Sequence, residues 1–176
     1  ARQRGLVVHA WCEEIEWIEA GLPENDALRT IARDRVPRMT NEQVTELITK
    51  FRGWMDSEHI RNALSREAFS SDQDTVVLVE NEFPFVRLVE DGIQEGSIDR
   101  LVLIERNGQV VAAEVLDFKT DEIKPGDDGT LAELREYYRP QITAYCDFVR
   151  EQYGLSEDAV DGKLVFLGAG VISKVV

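Results

Sequence analysis

Apolar residues at Val8, Trp11, Cys12, Ile15 and Ile18 return every three or four positions. That is the stripe of an amphipathic helix, and it predicts one from about Leu6 to Ala20, ended by Gly21 and Pro23. The helical period continues from Asn25 to about Phe69, where Thr40 and Gln43 stand in capping-box spacing ahead of Val44, Leu47, Ile48, Phe51 and Trp54. After Ser70, Ser71, Asp72 and Asp74 the texture turns β-branched, predicting strands at Thr75 to Val79, Phe83 to Val89, Ser97 to Glu105 and Gln109 to Lys119. Asn107-Gly108 is a strong hairpin signal between the last two. A polar loop, Asp121 to Thr130, leads into a helix from about Leu131 to Tyr153, with Pro140 expected to kink or restart it. Two short strands close the chain, Lys163 to Leu167 and Val171 to Val176. Three strands, a helix and two strands spell an antiparallel meander followed by a crossover that lets the next strand pair in parallel. The expectation is a mixed α/β sheet with helices packed on it.

Composition narrows the class. With 176 residues, 43% of them hydrophobic, the chain can bury a real core as a single domain, 1–176, mainly helical over 1–70 and α/β over 75–176. The balance of 20 Lys+Arg against 34 Asp+Glu gives a net charge of −14, which argues against holding nucleic acid through a basic surface alone. Cys12 and Cys146 are far apart and in no CxxC spacing, so neither a disulfide framework nor an all-cysteine metal site is available. No apolar run reaches the roughly 18 residues of a membrane span, and a cytoplasmic setting is the default expectation. The opening Ala1-Arg2-Gln3-Arg4 has no methionine, as expected of a domain cut from a longer chain.

The chemistry concentrates in Val115-Leu116-Asp117-Phe118-Lys119, an apolar strand that ends in a carboxylate, an aromatic and an ammonium. Strand side chains alternate, so Asp117 and Lys119 share a face. The preceding strand carries its own misfit, Asp99, which is costly to bury without a partner or a metal. Two carboxylates on neighbouring strands suit a hard divalent cation such as Mg2+. Such an ion would acidify water, and Lys119 would orient that water or offset charge growing on a phosphate, the chemistry of phosphodiester hydrolysis.

This arrangement depends on register. A strict two-residue turn at Asn107-Gly108 sets Asp99 opposite Leu116 and away from Asp117. A shared site therefore requires either a three-residue loop, Arg106-Asn107-Gly108 with a G1 bulge, or a bulge further along the hairpin.

Asp99, followed after 17 residues by Asp117-Phe118-Lys119, resembles the PD-(D/E)XK nuclease motif. Gly5-Leu6-Val7-Val8-His9 with Glu13 resembles the GxxxHxxxE helix of RecB and AddA helicase-nucleases. Glu82-Phe83, Gly96-Ser97-Ile98-Asp99 and Asp117-Phe118-Lys119-Thr120-Asp121 resemble that family's next motifs, and Tyr138, Gln141 and Tyr145 its Y-x-x-Q-x-x-x-Y helix. The ordered set spans nearly the whole chain and lacks the four cysteines of iron-sulfur-bearing relatives.

The resemblance implies a restriction-endonuclease-like fold: a mixed β-sheet core flanked by helices, with an N-terminal helical region. It implies that His9, Asp99, Asp117 and the main-chain carbonyl of Phe118 hold Mg2+, for which Mn2+ can substitute. Lys119 would be catalytic beside Asp99 and Asp117, and Gln141, Tyr138 and Tyr145 would position the substrate. The implied substrate is DNA, as single-stranded ends delivered during double-strand-break repair by helicase domains of the same longer chain, with a partner subunit of a helicase-nuclease complex. No membrane is involved.

Taken alone, each residue has a blander reading. His9 at the border of an apolar stripe is ordinarily a structural histidine, Asp117 and Lys119 an ion pair, and the two tyrosines packing. Glu82 reads as a supporting residue rather than a ligand, and Glu13, Glu14 and Glu16 as a solvated face. Two rival functions stand beside the nuclease. One is a module that kept the fold without activity; the other is a self-standing nuclease acting on RNA or recombination intermediates.

Overall fold

The computed structural model describes residues 2–69, 74–89 and 92–176. Its N-terminal region holds four helices, α1 (Arg2–Glu13), α2 (Asn25–Arg35), α3 (Asn41–Met55) and α4 (Glu58–Ala63). Strands β1 (Thr75–Val89), β2 (Gly92–Arg106) and β3 (Gln109–Lys119) follow, then helix α5 (Asp128–Tyr153) and strands β4 (Val160–Phe166) and β5 (Val171–Lys174). The five strands lie in the order β1-β2-β3-β4-β5. All neighbours are antiparallel except β3 and β4, which pair in parallel across the α5 crossover. This is the expected mixed sheet of a restriction-endonuclease-like fold.

Alternation along the central strands divides the interior in two. Leu116, Phe118 and Val165 face α1 to α4 and join a core built on Trp11, Phe51 and Leu28. Val115, Leu164 and Phe166 face the other way and pack with Ile142, Cys146 and Val149 of α5. Helix α5 presses closely on β4 at Gly162, where a methyl group would stand 2.5 Å from Ile142 Cγ2 and 2.6 Å from Cys146 Sγ.

Several expected boundaries shift for identifiable reasons. The first helix does not run from Leu6 to Ala20: it stops at Glu13, and only a short 3-10 turn, Ile18–Ala20, follows. The carbonyls of Glu13, Ile15 and Glu16 accept instead from Asn81 and Arg100, so tertiary donors replace the helical ones. The strands expected at Thr75 to Val79 and Phe83 to Val89 form one strand, interrupted by Glu82 in a left-handed conformation at φ 51°. The long helix starts slightly earlier than expected, at Asp128 behind the cap Asp127, and its 26 residues run through Pro140. The Thr40 and Gln43 capping box forms as expected.

Candidate active site at the splayed ends of β2 and β3

The hairpin between β2 and β3 settles the register. Asn107 and Gly108 are both left-handed, with φ of 53° and 76°, and Arg106 pairs directly with Gln109. The turn is thus two residues long, and the three-residue loop is not formed. The alternative device is present: the register shifts between Ile104 and Glu105, which face Ala112 and Val110. Val111 is the extra residue, and its insertion brings Arg100 opposite Leu116. The next positions outward, Asp99 and Asp117, therefore come opposite each other.

Beyond Arg100 and Leu116 the ladder between β2 and β3 ends. The freed amide of Phe118 donates to Asp99 Oδ2 at 2.7 Å, so a side chain takes over where a backbone carbonyl would have accepted. Asp99 Oδ1 lies 3.3 Å from His9 Nδ1 on α1. Helix α1 passes close to the residue after β3 at Gly5, where a methyl group would come into ordinary contact with Thr120 Oγ1, 3.5 Å away.

Glu82 completes this side of the site. Its left-handed backbone turns the carboxylate toward the sheet gap, where Oε2 accepts from Ser97 Oγ at 2.9 Å. One ligand atom from each of His9, Glu82 and Asp99 can be chosen so that all lie within 4.8 Å of one another, close enough to hold one ion. Glu82, read from the sequence as a supporting residue, thus stands within reach of the same ion as His9 and Asp99. The signal available in the sequence was a carboxylate in the middle of an apolar strand, one residue before Phe83-Pro84.

Asp117 stands apart from that group, on the α5 side. It is 1% exposed and lies 2.5 Å from Lys119 Nζ. Lys119 Nζ also donates to Gln141 Oε1 at 3.2 Å and sits 4.0 Å above the ring of Tyr138. Gln141 Nε2 in turn donates to Tyr145 Oη at 2.7 Å and reaches Asp117 Oδ1 at 3.5 Å. Tyr138 Oη donates to Asp121. The expected positioning residues Tyr138, Gln141 and Tyr145 therefore form one face of α5 against the ammonium. Phe118 points into the opposite core, 1% exposed.

The electrostatics are those of crowded acceptors. Burial, and then the Asp99 charge, holds the Asp117 carboxyl well above the usual range, against the pull of Lys119. Burial likewise raises Glu82, with Asp99 adding to it and the Ser97 hydrogen bond opposing. For His9 burial opposes the charged ring, but the hydrogen bond and charge of Asp99, with Asp117 behind them, carry its pKa above the ordinary value.

This donor set fits a divalent cation. Two carboxylates and an imidazole, from Glu82, Asp99 and His9, face a gap, and beside them Asp117 Oδ2 is a buried acceptor with no aligned hydrogen bond, its approach to Lys119 being an ion pair without hydrogen-bond geometry. Buried acceptors left in surplus are what a cation satisfies.

The family model of the PD-(D/E)XK nuclease superfamily matches residues 1–174. The chain belongs to this superfamily. No curated protein matches the chain. PD-(D/E)XK nucleases are hydrolases that use divalent metal ions, and the cluster of His9, Glu82 and Asp99 is where this member can hold one. Among the described residues no helix is long and apolar enough to cross a membrane.

Proposed function

We propose that this PD-(D/E)XK domain is a Mg2+-dependent deoxyribonuclease of the RecB/AddA type. In this reading it is the C-terminal nuclease module of a longer helicase-nuclease, supplied with single-stranded DNA ends by helicase domains and working with a partner subunit in double-strand-break repair and recombination. The observation that carries the chemistry is the gathering of Asp99, Asp117 and Lys119 where β2 and β3 part, with His9 brought in from α1.

His9, Asp99 and Asp117, with the Phe118 carbonyl, are the proposed ligands, and Glu82 adjoins them. Bound there, a cation would supply Lewis-acid charge compensation and lower the pKa of water, so that hydroxide would be available as the nucleophile near neutral pH. The chain's own groups do the rest. Lys119, held between Asp117, Gln141 and the Tyr138 ring, presents N–H donors to the phosphate oxygen on which charge builds. Gln141 fixes the direction of that ammonium and is itself fixed by Tyr145. His9 is locked in place by Asp99. A net charge of −14 fits a domain that receives its strand from attached motor domains rather than capturing it by charge.

The test is cleavage of single-stranded DNA, duplex DNA and RNA with Mg2+ or Mn2+, comparing the wild type with Lys119→Ala and Asp117→Ala. The reading requires metal-dependent cleavage of single-stranded DNA that both substitutions abolish. Activity unchanged in both variants would remove it.

A further inference from the structure

All 14 aromatic side chains lie among the described residues, and Tyr137 alone is exposed, at 75% of its surface. It lies on α5 directly before Tyr138. The two rings stand nearly perpendicular, at 78°, with centroids 4.9 Å apart. The Tyr138 ring in turn lies 4.0 Å beneath Lys119 Nζ, and its hydroxyl is tied to Asp121. Tyr137 is therefore propped by a ring that is itself anchored at the candidate site. Its centroid is no farther from the ammonium than those two short distances laid end to end.

We infer that Tyr137 is a stacking platform for an unpaired nucleobase, taking the base next to the phosphodiester that Lys119 faces. The inference rests on the nuclease reading above and adds to it how the strand is held. An acidic chain cannot gain much from phosphate contacts, and of the two arginines that flank Tyr137 on this helix, Arg139 is committed to Glu136 and to the carbonyl of Val175. Base stacking on an aromatic ring needs no positive charge and tolerates any sequence, since every base has a π-face. Bases within a duplex are already stacked on one another, so the same ring favours single strands. Tyr137 is a positioning residue: it holds a base and takes no part in bond making.

The experiment uses the whole 176-residue chain and two fluorescein-labelled oligomers of equal length, oligothymidylate and an abasic tetrahydrofuran phosphodiester. Both carry the same phosphates, so only the bases differ. Binding is read by anisotropy with Ca2+ in place of Mg2+, and cleavage by steady-state kinetics with Mg2+. The wild type is expected to bind the base-bearing oligomer about tenfold more tightly than the abasic one, within the range of base–aromatic stacking. Tyr137→Ala should erase that preference and raise KM for oligothymidylate about tenfold while kcat moves by less than about twofold. Tyr137→Trp should keep the preference. A wild type that binds both oligomers equally or binds neither, or a preference that survives Tyr137→Ala, overturns the inference. Base-dependent binding without cleavage would instead retain the Tyr137 platform and remove the nuclease reading.

Discussion

Asp99 and Arg100 are consecutive on β2, face opposite sides of the sheet, and build two polar clusters with opposite accounts of donors and acceptors. Arg100 is fully buried, donates to the carbonyls of Ile15 and Glu16 and to Asn81 Oδ1, and lies 4.9 Å from the Trp17 ring. Asn81 completes the cluster by donating to Glu13 and Ile15. The Nη donors of Arg100 and the amide of Asn81 are matched to acceptors, mostly carbonyls that the end of α1 leaves open, and the one group left over, Arg100 Nε, is a donor, which a cation cannot satisfy. Burial lowers the Arg100 pKa to about 10, so the guanidinium stays charged at neutral pH. On the other side Asp99, Asp117 and Glu82 accumulate acceptors that one lysine and one histidine do not saturate. The matched cluster is structural: it breaks the first helix and seats the segment after it. The unmatched cluster is the one with capacity for a ligand.

The sharpest way to break this contrast is to exchange its two neighbours. Asp99→Asn should lower cleavage by about 10²- to 10³-fold. Its stability should be unchanged or raised, because an amide oxygen still accepts from Phe118 and one charge leaves a crowded set. Arg100→Ala should instead cost about 3 kcal/mol or more in urea unfolding, since several buried carbonyls lose their donor together. An Asp99→Asn protein that unfolds easily, or an Arg100→Ala protein as stable as wild type, would erase the distinction.

Next in size is the support given to Lys119. Gln141→Ala removes the acceptor that aims the ammonium and the donor to Tyr145. Cleavage should fall about 10- to 100-fold, mostly in kcat, with metal affinity changed much less, as isothermal titration would show. An equal loss in metal affinity would move Gln141 from the lysine to the ion.

The acid cluster also has a pH signature in chelator. Because the folded protein holds the Asp117 proton more tightly than the unfolded chain does, ionising that group costs stability. The penalty is absent below the usual carboxylate range of about 4, grows as pH rises from there to about 6, where the folded protein releases the proton, and is constant above. In EDTA the Tm of Asp117→Asn should therefore gain on the wild type as pH rises, and added Mg2+ should close the gap by stabilising only the wild type. A gap independent of both pH and metal would mean that Asp117 carries no such strain.

Much of this molecule is legible in its sequence, and the exceptions share a cause. The element order, the capping box at Thr40, the parallel return of β4 and the need for a bulge follow from periodicity, turn chemistry and the demand that Asp99 meet Asp117. Local period cannot register donors that arrive from far along the chain. Arg100 takes the carbonyl of Ile15, just past the end of α1, from 85 residues away in sequence, which no pattern between Leu6 and Ala20 encodes. Glu82 is similar: only its left-handed backbone, visible once β1 is paired with β2, brings its carboxylate to His9 and Asp99. The bulge could be required by argument but not located, because Val111 looks like any other apolar strand residue.

The smallest effect tests whether the α5 side of the site is held by packing as strictly as the α1 side is held by hydrogen bonds. Gly162→Ala places a methyl group against Ile142 and Cys146, so α5 must shift or the core must strain. Overpacking of this kind costs about 1–3 kcal/mol. Ile142 directly follows Gln141, so displacing it displaces the amide that aims Lys119, and cleavage should fall several-fold beyond what the lost stability explains. His9 and Asp99 are tied to each other rather than to α5, so metal binding should survive the same substitution. A Gly162→Ala protein that loses metal affinity and kcat together would show that the two sides of the sheet move as one body, and that the site is a single rigid unit rather than two half-sites meeting at Asp99 and Asp117.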